Sequence, residues 1–377
     1  MNKKIIIILI IISVVSFSYG ISVGHYEIFP YSIISEIKNS NFDSRSDIDI
    51  ESYKHILSIN DQISFQNNSD IENTRQSLIQ YIWNDVELPT TLPSKFESNI
   101  NDNNFSELNN LERIDSFITE MEYGITSKAY LFLAENTNEK LIIYHQGHDA
   151  KTFDEDMPII QNFLDKNYSV LIFSMPGIGV NEKPIINHEK FGVLKLNSHH
   201  FYRYLDTENF NSFSLFVEPI ILTLNQIEND YQFEKFSMIG LSGGGWTTLI
   251  VSSLDERISQ SYSVAGSFPI WLRVESQNYG DFEQSIPEFY NIANFEELYF
   301  LSTFGNQRSL LLFYNEFDPC CFSGEVYEKF PFGDVIKTKL SKFTNNEFDV
   351  IIDYGQTEHK ISDYTLEIIS EHIENNS

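Results

Sequence analysis

Ser242, Asp318 and His359 offer a hydroxyl, a carboxylate and an imidazole, in that order along the chain. Together these three groups can perform acyl transfer. A serine hydroxyl is a weak nucleophile; it needs a base to take its proton and an acid to hold that base. Ser242 is the centre of Gly240-Leu241-Ser242-Gly243-Gly244, which fits the G-x-S-x-G pattern of a nucleophile elbow. A sharp strand-to-helix turn lifts the hydroxyl out of a sheet. Small residues two before and two after the serine let strand and helix pass close together. The apolar run Phe236-Ser237-Met238-Ile239 supplies the strand, and Gly244 through Ser253 the helix, whose first N–H groups point at the reaction.

The acid and the base also follow strand-like runs. Ser309 to Tyr314 leads to Asn315-Glu316-Phe317-Asp318-Pro319, and Phe348 to Asp353 leads to Gln356-Thr357-Glu358-His359. Side chains placed just past buried strand ends can reach one another across a sheet edge. Glu316 is the rival acid, since it too lies past its strand. An oxyanion also needs donors. The N–H of Gly243, next to the nucleophile, is one; the other should come from the loop after an earlier strand. Leu141 to Tyr144 reads as that strand and His145-Gln146-Gly147-His148 as its loop, with the N–H of His148 as the first choice and that of Gly147 as the second. His145 is read as a brace for the loop.

These residues resemble the α/β-hydrolase superfamily of serine esterases, lipases and peptidases. The resemblance rests on Tyr144 to His148, Met175-Pro176-Gly177-Ile178-Gly179, the elbow at Ser242, Asn315 to Pro319 and His359, and spans about residues 112 to 377. It implies a triad of Ser242, Asp318 and His359. It also implies an enzyme that cleaves carboxylic esters through an acyl-enzyme. The alternatives are a serine peptidase of prolyl oligopeptidase type and a non-catalytic binding protein on the same fold. Two features depart from the usual pattern: Gln146 spaces out the His-Gly motif, and Cys320 and Cys321 follow the acid. No cofactor is implied, and metal-dependent members are disfavoured because a serine occupies the elbow.

The elements that must position these groups are legible as well. Ile114 to Thr119 and Ala129 to Leu133 read as antiparallel edge strands. After them, apolar runs of four to eight residues alternate with helical stretches. Tyr168 to Phe173 and Ser261 to Ala265 are two further core strands. The expected fold class is therefore α/β, a mostly parallel central sheet with helices on both faces. We expect residues 111–377 to form the catalytic domain, with a cap insertion at about 270–308 that is rich in aromatic residues. Residues 25–110 read as an N-terminal helical extension packing on the core, because Ile71, Leu78, Ile79 and Ile82-Trp83 recur at helical spacing. His199-His200 in the 177–210 loop lacks a carboxylate partner in the sequence and is not read as a metal site.

The chain ends and the composition set further bounds. Lys3-Lys4, the apolar run Ile5 to Phe17 and Ser18-Tyr19-Gly20 make residues 1–24 an export signal or a retained membrane anchor, which places the catalytic part outside the cytoplasm. A formal net charge of −29 argues against nucleic acid as a partner and favours a small neutral ester or a cationic substrate over an anionic one. The only cysteines are adjacent. Neighbouring Cα atoms are about 3.8 Å apart, whereas disulfides prefer roughly 4.4–6.8 Å. Buried free thiols are the expectation, with a strained vicinal disulfide as the alternative.

Overall fold

Four apolar runs form the middle of one sheet: β4 (Lys140–His145), β5 (Ser169–Phe173), β8 (Lys235–Leu241) and β9 (Ile258–Val264). The structure is a computed structural model and describes residue 4 and residues 13–19, 62–273 and 275–376. Its nine-stranded sheet has the order β1-β2-β3-β5-β4-β8-β9-β10-β11, where β1 is Lys95–Ile100, β2 Leu111–Glu120, β3 Thr126–Ala134, β10 Ser309–Asn315 and β11 Glu347–Asp353. Pairing is antiparallel from β1 to β5 and parallel from β5 to β11. This is the expected fold class. A separate hairpin joins β6 (Ile185–His188) and β7 (Gly192–Lys195).

Continuous apolar strands are needed because both faces of the parallel region are covered. Side chains alternate between faces along a strand. On β4, Leu141 and Ile143 enter one buried cluster, while Ile142 and Tyr144 enter the other. The second face is covered by α2 (Met157–Leu164) through Ile160 and Phe163, and by the C-terminal helix, Asp363–Asn375, through Ile369 and Ile373. The first face carries α3 (Ser214–Asp230) and α4 (Gly243–Leu254). All twelve residues of α4 are buried, so the helix after the elbow is a core element.

The expected N-terminal helix is present as α1 (Asn68–Trp83), closed at its start by a capping box between Asn67 and Asp70. Its buried stripe is Ile71, Leu78, Ile79 and Ile82. Arg75 is also buried; its guanidinium donates to the Ser253 carbonyl at the end of α4, 3.1 Å away, and pairs with Glu72 and Glu256. The stretch expected to be only a helical extension also holds β1, which pairs with β2 at the sheet edge. No residue of β1 is fully buried, so no apolar run announces it.

The cap expected at about 270–308 is divided. Two short helices, α5 (Pro287–Tyr290) and α6 (Phe295–Thr303), occupy its later part. All nine residues of α6 are buried against α4 and the sheet, making it the crossover helix between β9 and β10. Its aromatic rings hold the core together. Two helices follow β10, α7 (Gly324–Lys329) and α8 (Gly333–Leu340), and the C-terminal helix is α9.

Of the expected leader or anchor at 1–24, residues 13–19 are helical and nearly all the rest lies outside the described residues. No described helix is long and apolar enough to cross a membrane.

Candidate active site

The parallel strands β4, β8, β10 and β11 all end at one sheet edge, and each is followed by a residue singled out in the sequence. Ser242 follows β8 with φ 57° and ψ −121°. A non-glycine residue there is strained, and the surrounding hydrogen bonds hold it: Ser242 N donates to the Val264 carbonyl at 2.8 Å, and Trp246 N donates to the Ser242 carbonyl at 3.0 Å. The strand and helix pass so close that a Cβ on Gly240 would overlap the Gly244 carbonyl. This is the reason for glycine on either side of the serine.

Asp318 and His359 meet. His359 Nδ1 lies 2.8 and 3.0 Å from the two carboxylate oxygens of Asp318. An ionised carboxylate only accepts, so Nδ1 carries a hydrogen, and in the neutral ring Nε2 has the lone pair. That Nε2 is buried and has no hydrogen-bond partner. Burial works against the charged imidazolium, but the hydrogen bond and charge of Asp318 outweigh it, raising the His359 pKa above its ordinary value. Burial likewise opposes ionisation of Asp318, yet His359 and the Cys320 N–H hold its carboxyl below the ordinary range. Glu316 is not part of this pair; its carboxylate accepts from Gly355 N at 2.6 Å.

Ser242 and His359 share a cavity of about 180 Å³, also lined by Gly147, His148, Asp149, Glu155 and Asp156. None of the aromatic residues of 270–308 lines it. Gly243 is the first residue of α4, so its N–H has no acceptor within the helix. Gly147 lies against the elbow: a Cβ there would be 2.9 Å from the Leu241 carbonyl oxygen and 3.0 Å from Ser242 Cβ. The N–H groups of Gly243, Gly147 and His148 are thus carried on backbone beside the serine.

His145 does brace its loop. It is buried, and its Nδ1 lies 2.8 Å from the Gln146 carbonyl oxygen. Burial lowers its pKa to about 4 and keeps it neutral. Gln146 has its own role. Its amide donates to Asp156 at 2.5 Å and to the Thr152 carbonyl at 2.8 Å, and it accepts from Ser174 at 2.5 Å. It ties the loop to the segments on either side.

Both cysteines touch the site. Cys320 N and Cys321 N donate to Asp318 Oδ1 at 2.9 and 3.2 Å. Cys320 is exposed and Cys321 buried, with their sulfurs 2.8 Å apart, so burial of both thiols is not observed. The contact with Cys321 lowers the Cys320 thiol to about 7, and the same contact with burial pushes Cys321 up.

The roles of two residues are not evident in the sequence. Asn315, at the end of β10, donates to Asp318 and to the carbonyls of Glu358 and Lys360. Glu283 is wholly buried, with His148 and His199 against its carboxylate. Glu283, Asp281 and Asp149 outweigh burial and raise His148 to about 9. Glu283 lies in no motif, and Asn315 enters the sequence reading only as the start of the run to Asp318, so the fold alone reveals their roles.

No family model and no curated protein matches the sequence. Solved structures do resemble it. The acetyl xylan esterase from Paenibacillus sp. R4 superposes with a TM-score of 0.51 at 12% identity, over 84% of this chain and 98% of that one. Acetyl xylan esterase 1 from Thermoanaerobacterium sp. JW/SL YS485 gives 0.50 at 12% identity, over 84% and 97%. Methylesterase BT1017 gives 0.52 at 13% identity, over 82% of this chain and 65% of that one. At such identities the likeness concerns architecture. With its sheet order and its strained turn at Ser242, the chain has the α/β-hydrolase fold.

Proposed function

We propose that the chain hydrolyses carboxylic esters through an acyl-enzyme on Ser242. The observation that carries this reading is the His359 ring, held by Asp318 at Nδ1 with Nε2 unpartnered, in the cavity that Ser242 lines. In the proposed cycle Ser242 Oγ attacks the ester carbonyl and His359 Nε2 takes the hydroxyl proton. The imidazolium passes that proton to the departing alcohol, leaving an ester on Ser242. Water, deprotonated by the same nitrogen, then releases the acid. Asp318 keeps the tautomer and balances the transient charge. The N–H of Gly243, with that of His148 or Gly147, binds the oxyanion.

The cavity of about 180 Å³ suits a compact acyl group, and Asp149, Glu155 and Asp156 in its wall disfavour anionic substrates. The likenesses above include acetyl xylan esterases and a methylesterase, proteins named for small ester groups. The substrate class is therefore a neutral ester of a short acid. The test combines a fluorophosphonate probe with a series of nitrophenyl esters. A stoichiometric adduct on Ser242 and faster turnover of acetyl than of octanoyl ester are expected. An unlabelled, folded protein that turns over no ester is a binding protein, and a preference for aminoacyl anilides makes it a peptidase.

A further inference from the structure

His148, His199 and Glu283 lie in three separate segments, and their ligand atoms all fall within 4.8 Å of one another. His148 Nε2 is 2.9 Å from Glu283 Oε1 and 3.3 Å from Asp281 Oδ2. His199 Nδ1 is 3.1 and 3.2 Å from the two oxygens of Glu283. The carboxylate missing beside His199 in the sequence thus arrives from 84 positions further on.

The hydrogens in this cluster can be counted. His199 Nε2 lies 2.9 Å from the Pro176 carbonyl oxygen, which only accepts, so Nε2 carries a hydrogen. In a neutral imidazole Nδ1 then bears a lone pair, and it points at a carboxylate that also only accepts. His148 Nε2 faces two carboxylates. His199 Nδ1 therefore needs a hydrogen or a cation between it and the carboxylate, whereas His148 Nε2 can carry the hydrogen of a neutral ring. A divalent ion between them satisfies both rings and the buried carboxylate at once, with both imidazoles neutral.

The arrangement has the marks of a metal site. A liganding histidine commonly donates its remote N–H to a backbone carbonyl, which fixes its tautomer, as His199 does to Pro176. Nitrogen and carboxylate ligands about 2.0–2.2 Å from a tetrahedral zinc ion stand roughly 3.3 Å from one another, close to the separations found here. We propose that His148 Nε2, His199 Nδ1 and Glu283 bind one divalent cation of the zinc class, with Asp281 beside His148 on the exposed rim of the site. The ion's role is structural, since its ligands come from three separate segments. It fastens the loop after β4 to the 199–204 turn and to the 281–284 segment. A side chain at Gly243 would run into the His148 ring, so the fastened loop is the one packed against the start of α4. This inference stands whether or not Ser242 is a nucleophile.

A second cluster, Cys320, Cys321 and His359, also brings three ligand atoms together, and the experiment must separate the two. The full chain is stripped with a chelator, desalted and titrated with Co²⁺ and with Zn²⁺. One equivalent of metal retained after desalting, a tetrahedral cobalt spectrum without a thiolate charge-transfer band, and a higher Tm with Zn²⁺ are expected. Asp281→Asn, on the exposed rim, should fold normally and weaken Zn²⁺ binding at least about tenfold. Glu283→Gln should lose the bound equivalent. The proposal is overturned if the wild-type chain retains no stoichiometric metal, if a thiolate band accompanies binding, or if Asp281→Asn binds Zn²⁺ as the wild type does.

Discussion

Asn315 Nδ2 lies 3.1 Å from Asp318 Oδ2, and the same amide group reaches the carbonyls on both sides of His359, Glu358 at 3.0 Å and Lys360 at 3.1 Å. One side chain at the end of β10 therefore sets the acid and the histidine loop against each other. Asn315→Ala should lower kcat by about 10²-fold with little change in KM, because a displacement of about 1 Å can cost that much. Steady-state kinetics on nitrophenyl acetate, with circular dichroism to check folding, measure it. A folded variant at full kcat would remove Asn315 from this role.

The pairing of His359 with Asp318 orders the two acids. Asp318→Asn should reduce kcat by about 10³- to 10⁴-fold, since the wrong histidine tautomer is then favoured. Glu316→Gln, whose partner is Gly355 N, should cost less than roughly tenfold. The reverse order of severity would make Glu316 the acid.

The pH profile follows from the sign of the His359 shift. The base must be neutral, and Asp318 raises its pKa, so kcat/KM should climb through an inflection above the ordinary value of about 6.5. Below that inflection the imidazolium cannot accept the serine proton. A profile that is flat between pH 5 and 8, with chemistry rate-limiting, would argue against a histidine base.

The thiols should differ in reactivity. Cys320 is exposed and lowered to about 7, whereas Cys321 is buried and pushed up. Thiolate reacts and thiol does not, so limited iodoacetamide should modify Cys320 first, as peptide mass spectrometry would show. Replacing both by serine should lower stability or kcat without preventing acylation of Ser242, because the backbone N–H groups that hold Asp318 remain. Faster alkylation of Cys321 would contradict the burial argument.

Residues that combine a local signal with a global role were legible in the sequence. The elbow needs glycines at fixed offsets, and buried parallel strands need unbroken apolar runs, so Ser242, β4, β8 and β10 all stood out. β1 did not, since an edge strand with no fully buried residue has no reason to be apolar. Nor did α6, where an aromatic segment expected as a cap is a core crossover helix. Glu283 and Asn315 act through partners brought together by folding; Glu283 lies in no motif, and nothing in the run Asn315 to Pro319 marks Asn315 as the brace of the histidine loop. The second oxyanion donor stays between His148 and Gly147, because both N–H groups sit on the same loop beside Ser242.

The docking of α1 bears on the order in which the chain can fold. Ser64 hydrogen-bonds to Glu297, 233 positions later, and Arg75 to the Ser253 carbonyl, 178 positions later. A segment that leaves the ribosome early must therefore wait for more than half of the chain before its partners exist. Until then the stripe of Ile71, Leu78, Ile79 and Ile82 is uncovered. Non-local pairing of this kind slows folding and prolongs exposure to aggregation. Helix α1 is thus made early and secured late, which makes it dependent on chaperone protection during synthesis.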